Sequence, residues 1–150
     1  MDLGLPPAAK AFDSIADSFD RRFGEWLSVA AQRKAVRDEL ETTFPPLSSL
    51  LEIGGGTGED ALWMASRGFR VLMTDISPEM VRRAKAKFVR MIGLSSAIAD
   101  ASALDRMDSE EVFDGAYSNF AALNCVEDLH PFARGLAERI RPGGTHISTG

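Results

Sequence analysis

A glycine-rich turn is the first part of this 150-residue sequence that could do chemistry. A short apolar run, residues 50–53, is followed at once by Gly54, Gly55 and Gly56, and then by Gly58. Glycines let the backbone turn tightly and let a ligand approach where any Cβ would collide. A helix that begins after such a turn directs amide N–H groups and the positive end of its dipole at the same space. The turn therefore indicates a nucleotide-like ligand with a carboxylate or a phosphate.

Two classes of ligand fit this turn. Residues 56–61 match the pattern G-x-G-x-x-G/A, which is typical of NAD(P)- or flavin-binding oxidoreductases. Glu52 favours a different ligand, because a carboxylate that faces the site tolerates an amine or a sulfonium cation and repels a pyrophosphate. The dinucleotide pattern also leaves Gly54 and Gly55 unexplained. A cationic ligand is therefore preferred, and the dinucleotide stays as the alternative.

Two further acids end the next two apolar runs. Asp75 follows residues 70–74, where a carboxylate can accept both hydroxyls of a ribose, or alternatively cap the helix that begins at Ser77-Pro78. Asp100 follows residues 95–99, where it can accept the exocyclic amino group of an adenine, or alternatively begin a helical turn. Three acids at the ends of three successive strands favour a ligand site over three unrelated loops.

The elements that position these residues alternate along the chain. Apolar residues at helical spacing predict two helices before residue 45, the first of which contains Phe12 and Phe19. A later helical stripe runs from Leu129 to Ile140 and is closed by Pro142-Gly143-Gly144. Predicted strands occupy residues 50–53, 70–74, 95–99, 112–118 and 145–149. This alternation predicts a doubly wound, Rossmann-like α/β sheet of mostly parallel strands, whose ligands bind at the carboxyl ends.

Composition and charge weigh against several other classes of protein. The 17 basic and 22 acidic residues give a formal charge of −5, and no concentrated basic stripe supports binding to nucleic acid. A single cysteine excludes an intrachain disulfide and disfavours a cysteine-built zinc site, so no metal is expected. Neither a secretory signal nor a long apolar span is evident. A cytoplasmic protein is therefore expected.

The motifs together resemble the class I S-adenosylmethionine-dependent methyltransferases, of the small-molecule type with an N-terminal helical lid. The resemblance runs from about Phe12 to the end of the chain and rests on three segments, which are residues 50–58, 114–124 and 141–144. It implies that the glycine turn holds the methionine part of S-adenosylmethionine. It also implies that Asp75 binds the ribose and Asp100 the adenine, while Ile76 packs on the adenine face.

The same resemblance implies the remaining residues of the site. Ser118 and Asn119, at the end of the fourth strand, would flank the transferable methyl group, and no catalytic base is legible. Residues 12–20 resemble the lid, where Phe12 and Phe19 stand at positions often occupied by tyrosine; ordinary helix packing is the alternative for both. The implied cofactor contacts are Glu52, Gly54, Gly55, Gly56, Gly58, Asp75, Ile76, Asp100, Ala101, Ser118 and Asn119, with Phe12, Phe19 and Asn124 towards the substrate.

One domain, residues 1–150, is expected, with a helical lid segment at 1–45 and a cofactor-binding core at 46–150. Its expected reaction is methyl transfer to a small-molecule acceptor. The resemblance implies a sheet that continues past a fifth strand, whereas the last strand predicted here is residues 145–149. Either the sequence is a truncated form, or the open edge of the fifth strand is exposed or covered by another chain, as in a homodimer. A dinucleotide oxidoreductase and a non-catalytic S-adenosylmethionine-binding module remain the alternatives.

Overall fold

The computed structural model describes residues 27–107, 111–118 and 129–148. The helices are α1 (Leu27–Thr43), α2 (Glu59–Ser66), α3 (Pro78–Phe88) and α4 (Leu129–Arg139), and the strands are β1 (Ser49–Ile53), β2 (Arg70–Asp75), β3 (Leu94–Ile98), β4 (Phe113–Ser118) and β5 (Ile140–Ser148). A short 3₁₀ helix, Ala101–Arg106, follows β3. The predicted helix that contains Phe12 and Phe19 lies outside the described residues.

All strand pairs within the described sheet are parallel, in the order β3-β2-β1-β4-β5. The chain moves outward from β1 to β3 on one side and then returns to place β4 on the other side of β1. The strand order therefore reverses between β1 and β4, the place where ligands bind in such sheets. The predicted α/β fold, with its doubly wound parallel sheet, is confirmed.

Helices cover both faces of the sheet, and each face has its own apolar cluster. On one face, α1, α2 and α3 pack against side chains of β1, β2, β4 and β5, including Leu50, Met73 and Tyr117. On the other, α4 and the 3₁₀ helix bury Leu51, Phe113 and further side chains. Because successive strand residues point to opposite faces, both faces of β1 are apolar and the whole strand is buried. Helix α1 contributes Val36 and Leu40 to this core, so this part of the predicted lid segment packs as a core layer.

Local sequence explains where α3 begins. Ser77 is the N-cap residue, and its hydroxyl accepts a hydrogen bond from the Met80 amide at 3.2 Å. Pro78 follows at the first helical position, where no amide donor is needed. This helix start fixes the short loop, residues 76–77, between Asp75 at the end of β2 and α3.

The fifth strand begins earlier than the sequence predicts. Helix α4 ends at Arg139, and Ile140, expected on the helical stripe, already pairs with Phe113 in the sheet. The register then shifts, because Gly115 pairs with Thr145, so residues 141–144 form an irregularity inside β5 rather than the end of a helix. Gly143, with φ of 83°, provides the left-handed backbone that this bulge requires.

Candidate functional site

The loops after β1, β2 and β3 form a partly open surface at one edge of the sheet. Neighbouring strand ends are tied together there: the Gly55 amide donates to the Thr74 carbonyl and the Ala99 amide to the Asp75 carbonyl, each at 3.0 Å. The half-buried residues on this surface are Gly54, Gly55, Ile76, Asp100 and Ala101. Five of the residues expected from the sequence to contact a cofactor therefore share one accessible edge.

The glycine turn between β1 and α2 is held mainly by bonds within the protein. The Gly56 amide donates to Asp75 Oδ2 at 2.9 Å, and the Gly58 amide donates to the Gly55 carbonyl at 3.1 Å. Together with the bond from Gly55 to Thr74, these contacts use the amides of three of the four glycines. The amides of Gly55, Gly56 and Gly58 therefore hold the turn together in this conformation.

Asp75 is the residue that connects two of the strand-end loops. Its side chain is 6% exposed, and its second oxygen, Oδ1, accepts a hydrogen bond from the Ser77 amide at 2.9 Å. One carboxylate thus binds the glycine turn and the start of α3 together. The bond from the Ser77 amide matches the helix-start role that the sequence allows, and the ligand role stays a prediction.

Asp100 caps the 3₁₀ helix, as one of its two alternatives predicted. Its Oδ1 accepts hydrogen bonds from the Ser102 amide at 2.9 Å and from the Ser102 hydroxyl at 2.7 Å. The side chain is only half-buried, and no hydrogen bond to Oδ2 is found within the described part of the chain. The capping role therefore leaves one carboxylate oxygen available on the open edge.

Glu52 lies behind the glycine turn and not on its open side. It is 1% exposed, and a Cβ added to Gly55 would overlap its Oε1 atom. The reason is the alternation of the strand, since Glu52 points to the same face as Leu50 and the α1–α3 layer. The expectation that this carboxyl group faces a ligand is not what the geometry shows.

The environment of Glu52 favours its neutral form. Burial raises the pKa of its carboxyl group well above the usual range, the Asp60 carboxylate raises it further, and the Tyr117 hydroxyl lowers it. Neither Glu52 oxygen makes a hydrogen bond of ordinary geometry within the described segments, and the same holds for the Tyr117 hydroxyl. Burial also raises the pKa of the Tyr117 phenol well above its ordinary value. These surroundings favour the protonated form of the Glu52 carboxyl group.

Two ion pairs attach α1 to the beginning of α2, directly behind the glycine turn. Arg33 pairs with Glu59, and the Arg37 guanidinium lies 2.9 Å from Asp60 Oδ1. Arg37 also lies over the Trp63 ring, 5.2 Å from its centroid. Both acids sit in the first turn of α2, where negative charge is favourable. The turn is therefore supported from behind by a charged and partly buried contact between helices.

Ser118 is the last residue of β4, the strand that pairs with β1 on one side and with β5 on the other. It is buried, and its Oγ lies 3.4 Å from His146 Nε2, while the His146 ring meets Phe132 edge-on at 5.6 Å between centroids. Burial lowers the pKa of His146, so its imidazole is uncharged at neutral pH. Asn119, Asn124, Phe12 and Phe19 lie outside the described residues. No pattern in the sequence indicates the contacts of Tyr117 or Arg139.

Gly58→Ala is expected to destabilise the fold by about 1–3 kcal/mol more than Gly68→Ala does. Both glycines have left-handed backbone, with φ of 87° and 92°, so both variants carry the same backbone cost. Only at Gly58 would the new Cβ overlap a side chain, the Phe88 ring, whereas nothing lies within 4 Å at Gly68. Thermal or denaturant unfolding measures both variants, and equal losses of stability would show that the turn can move away from Phe88.

Neither a metal-binding cluster nor a membrane-spanning helix occurs in the described segments. No group of three or more histidine, cysteine, aspartate or glutamate side chains there could hold a metal ion. Within the same segments, no helix has the length and apolar character needed to cross a membrane.

Comparison with known proteins identifies the family. Residues 50–144 match the methyltransferase domain family. The chain is 34% identical over 141 residues to the ubiquinone/menaquinone biosynthesis C-methyltransferase UbiE of Acidiphilium cryptum, which covers 90% of this chain and 55% of that protein. It is 28% identical over 138 residues to the tRNA 5-carboxymethoxyuridine methyltransferase of Escherichia coli K12, covering 89% and 53%. The chain thus spans about half the length of the curated relatives it matches.

A solved structure shares the fold. The phosphoethanolamine N-methyltransferase 2 of Haemonchus contortus, solved with phosphomonomethylethanolamine and S-adenosylhomocysteine, superposes with a TM-score of 0.75 at 20% identity, over 93% of this chain and 33% of that one. At this identity the likeness concerns the fold alone. The family match over residues 50–144 confirms the resemblance seen in the sequence: this chain belongs to the methyltransferase domain family, with the fold of the class I S-adenosylmethionine-dependent enzymes.

Proposed function

We propose that this chain binds S-adenosylmethionine across the carboxyl ends of β1, β2 and β3 and transfers its methyl group to a small-molecule acceptor. The observation that carries the proposal is the bond from the Gly56 amide to Asp75 Oδ2. It holds the glycine turn and Asp75, the last residue of β2, together at the carboxyl edge of the sheet, beside the point where the strand order reverses. A glycine turn beside a carboxylate suits a nucleoside with an amino-acid tail. The amino-acid tail needs close approach to the backbone, and the ribose needs carboxylate acceptors.

The shape and chemistry of the open edge fit this cofactor. The backbone of Gly54 and Gly55 is partly exposed at this edge, and the methionine part would lie against it. Asp75, beside the turn, would accept the ribose hydroxyls, and Ile76 offers a half-buried apolar surface for the adenine ring. Asp100 Oδ2, beside Ala101, would accept the adenine amino group. Glu52 and the other turn glycines, Gly56 and Gly58, would act by fixing the turn, and Ser118 and Asn119 would lie near the methyl group.

When bound, S-adenosylmethionine supplies a methyl group on a sulfonium centre that a nucleophile can attack directly. The protein's task is then to orient the two reactants and to exclude water. Proximity alone can lower the barrier by roughly 7–11 kcal/mol in well-oriented reactions. A fixed base is therefore not required by the chemistry, and the roles of Phe12, Phe19 and Asn124 as lid and substrate contacts belong to the same proposal.

For the acceptor, we favour an aromatic quinol. The A. cryptum relative is named for C-methylation in quinone biosynthesis and has the higher identity of the two relatives described above. The formal charge of −5 gives no support to the alternative of a tRNA acceptor, which the E. coli relative's name suggests.

Calorimetric titration with S-adenosylhomocysteine, S-adenosylmethionine and NAD tests the cofactor. We expect both sulfur-containing ligands to bind in the micromolar range or tighter and NAD to show no binding. Binding of NAD alone would replace the proposal with the dinucleotide oxidoreductase.

Transfer of a labelled methyl group then tests the reaction. The acceptors are demethylated benzoquinols and naphthoquinols on one side and unmodified tRNA on the other. Label in a quinol supports the proposal, and label in tRNA alone contradicts the acceptor class. Cofactor binding without transfer to either would favour the non-catalytic binding module.

A further inference from the structure

Arg139, the last residue of α4, is buried against the loop that follows β3. It is 8% exposed. Its Nε donates to the Leu104 carbonyl at 3.1 Å, and its Nη2 donates to the carbonyls of Met107 at 2.8 Å and Asp105 at 3.4 Å. No carboxylate of the described segments forms a salt bridge with it. A buried guanidinium satisfied by main-chain oxygens fixes the path of a backbone segment.

That segment ends in carbonyls that its own helix satisfies only in part. Ala103 has φ of −139° and ψ of 39°, so residues 101–106 form two short turns across a kink, and the Met107 amide donates to the Leu104 carbonyl at 3.2 Å. The last carbonyls of a helix have no backbone partner within it. Arg139 adds a donor to the Leu104 carbonyl and supplies donors to those of Asp105 and Met107, as its planar fork allows.

The other end of the same segment contains Asp100. The Ala103 amide donates to the Asp100 carbonyl at 2.9 Å, and the Asp100 side chain holds Ser102. Leu104, whose carbonyl Arg139 binds, is fully buried, and Gly135 of α4 packs closely against it. The position of Asp100 at the open edge is thus set from two sides, by the end of β3 and by the anchored 3₁₀ helix.

We infer that Arg139 is a positioning residue for base recognition. By anchoring the 3₁₀ helix, Arg139 holds Asp100 where the free oxygen of Asp100 accepts a hydrogen bond from the amino group of the adenine. The inference rests on the proposed function and adds a residue to it that has no contact with the ligand. Loss of Arg139 would cost discrimination between purine bases more than it costs affinity for the rest of the cofactor.

The test compares S-adenosylhomocysteine with S-inosylhomocysteine, in which an oxo group replaces the adenine amino group. Calorimetry on the full chain gives the ratio of the two affinities. For the unmodified protein we expect a ratio of about 10–100 in favour of the adenine compound, because the oxo group cannot donate to Asp100. Arg139→Gln should reduce this ratio to below about 3, with little change in the affinity for the inosine compound.

Two variants serve as comparisons. Asp100→Ala should reduce the ratio in the same way, and the double variant Asp100→Ala/Arg139→Gln should reduce it no further, since both act on one contact. Arg141→Gln, two residues away on an exposed side chain that pairs with Asp114, should leave the ratio unchanged. If Arg139→Gln does not fold, Arg139→Lys, which can replace only part of the three contacts, should show an intermediate ratio.

Each outcome of these titrations supports or overturns a specific part of the inference. An unchanged ratio in a folded Arg139 variant overturns the inference, and so does an equal loss of affinity for both compounds, which is the result of a purely structural role. A ratio near one in the unmodified protein removes the role of Asp100 itself. Failure of the unmodified protein to bind either compound contradicts the proposed function, and that result is distinct from all the others.

Discussion

Asp75→Ala is expected to lower the affinity for S-adenosylhomocysteine by about 100-fold or more. The side chain accepts hydrogen bonds from two main-chain amides, of Gly56 and Ser77, and in the proposed site it also receives the ribose hydroxyls. A hydrogen bond to a charged group contributes about 1.5–3 kcal/mol, so the combined loss exceeds a factor of ten even if only one bond matters. Asp75→Asn should also bind weakly, because both contacts come from N–H donors and the new amide group can accept only through its single oxygen.

Calorimetry measures these affinities, with Asp38→Ala as the control. Asp38 is an exposed acid on α1 that pairs with Lys34, and we expect its replacement to leave binding unchanged. Circular dichroism should show that each variant is folded before its affinity is interpreted. Binding within threefold of the unmodified protein in a folded Asp75→Ala variant would remove Asp75 from the site.

The second large effect concerns stability as a function of pH. Because burial raises the pKa of Glu52 in the folded protein, the folded state binds a proton that the unfolded state releases. This contribution is complete below the ordinary carboxyl pKa and is lost as the pH rises through the folded value. Glu52→Gln, which is neutral at every pH, should therefore have the higher melting temperature at about pH 8 and lose this advantage towards about pH 4.

Thermal unfolding across this pH range measures the effect, where each 1 kcal/mol corresponds to roughly 2–4 °C. Glu39→Gln, at an exposed position of α1, is the control and should follow the unmodified protein throughout. If the melting temperature of the Glu52→Gln variant also equals that of the unmodified protein at every pH, the buried carboxyl group does not hold its proton. Such a result would require a donor for Glu52 that the described contacts do not contain.

Local signals in the sequence were sufficient for most of the fold. The glycines after residue 53 and the Ser77-Pro78 pair mark changes of backbone direction through their own conformational preferences, so the ends of β1 and β2 were correctly placed. The bulge in β5 was not predicted, because Pro142-Gly143-Gly144 is equally typical of a helix end. Only the pairing with β4 decides between these two structures.

The site was harder to predict from the sequence, because its important contacts join segments that are distant along the chain. The acids near the ends of β1, β2 and β3 are visible as a pattern, but the pattern does not show that Glu52 points behind the turn while Asp100 lies on the open edge. Glu52 lies within β1, on the face that α1–α3 cover, whereas Asp100 lies beyond β3 at the start of the 3₁₀ helix. Arg139 likewise reads as an ordinary basic residue at a helix end, and its contacts are with a 3₁₀ helix far away along the chain.

The ion pairs between α1 and α2 have a consequence for the variation of this chain during evolution. Arg33 with Glu59 and Arg37 with Asp60 are partly buried, so a substitution that removes one partner leaves an unpaired charge next to the glycine turn. A change at either arginine is therefore tolerated best together with a change at its acid. Among descendants of this sequence, these positions are expected to covary in pairs, and a lineage that replaces both partners by apolar residues would keep the turn without its charges.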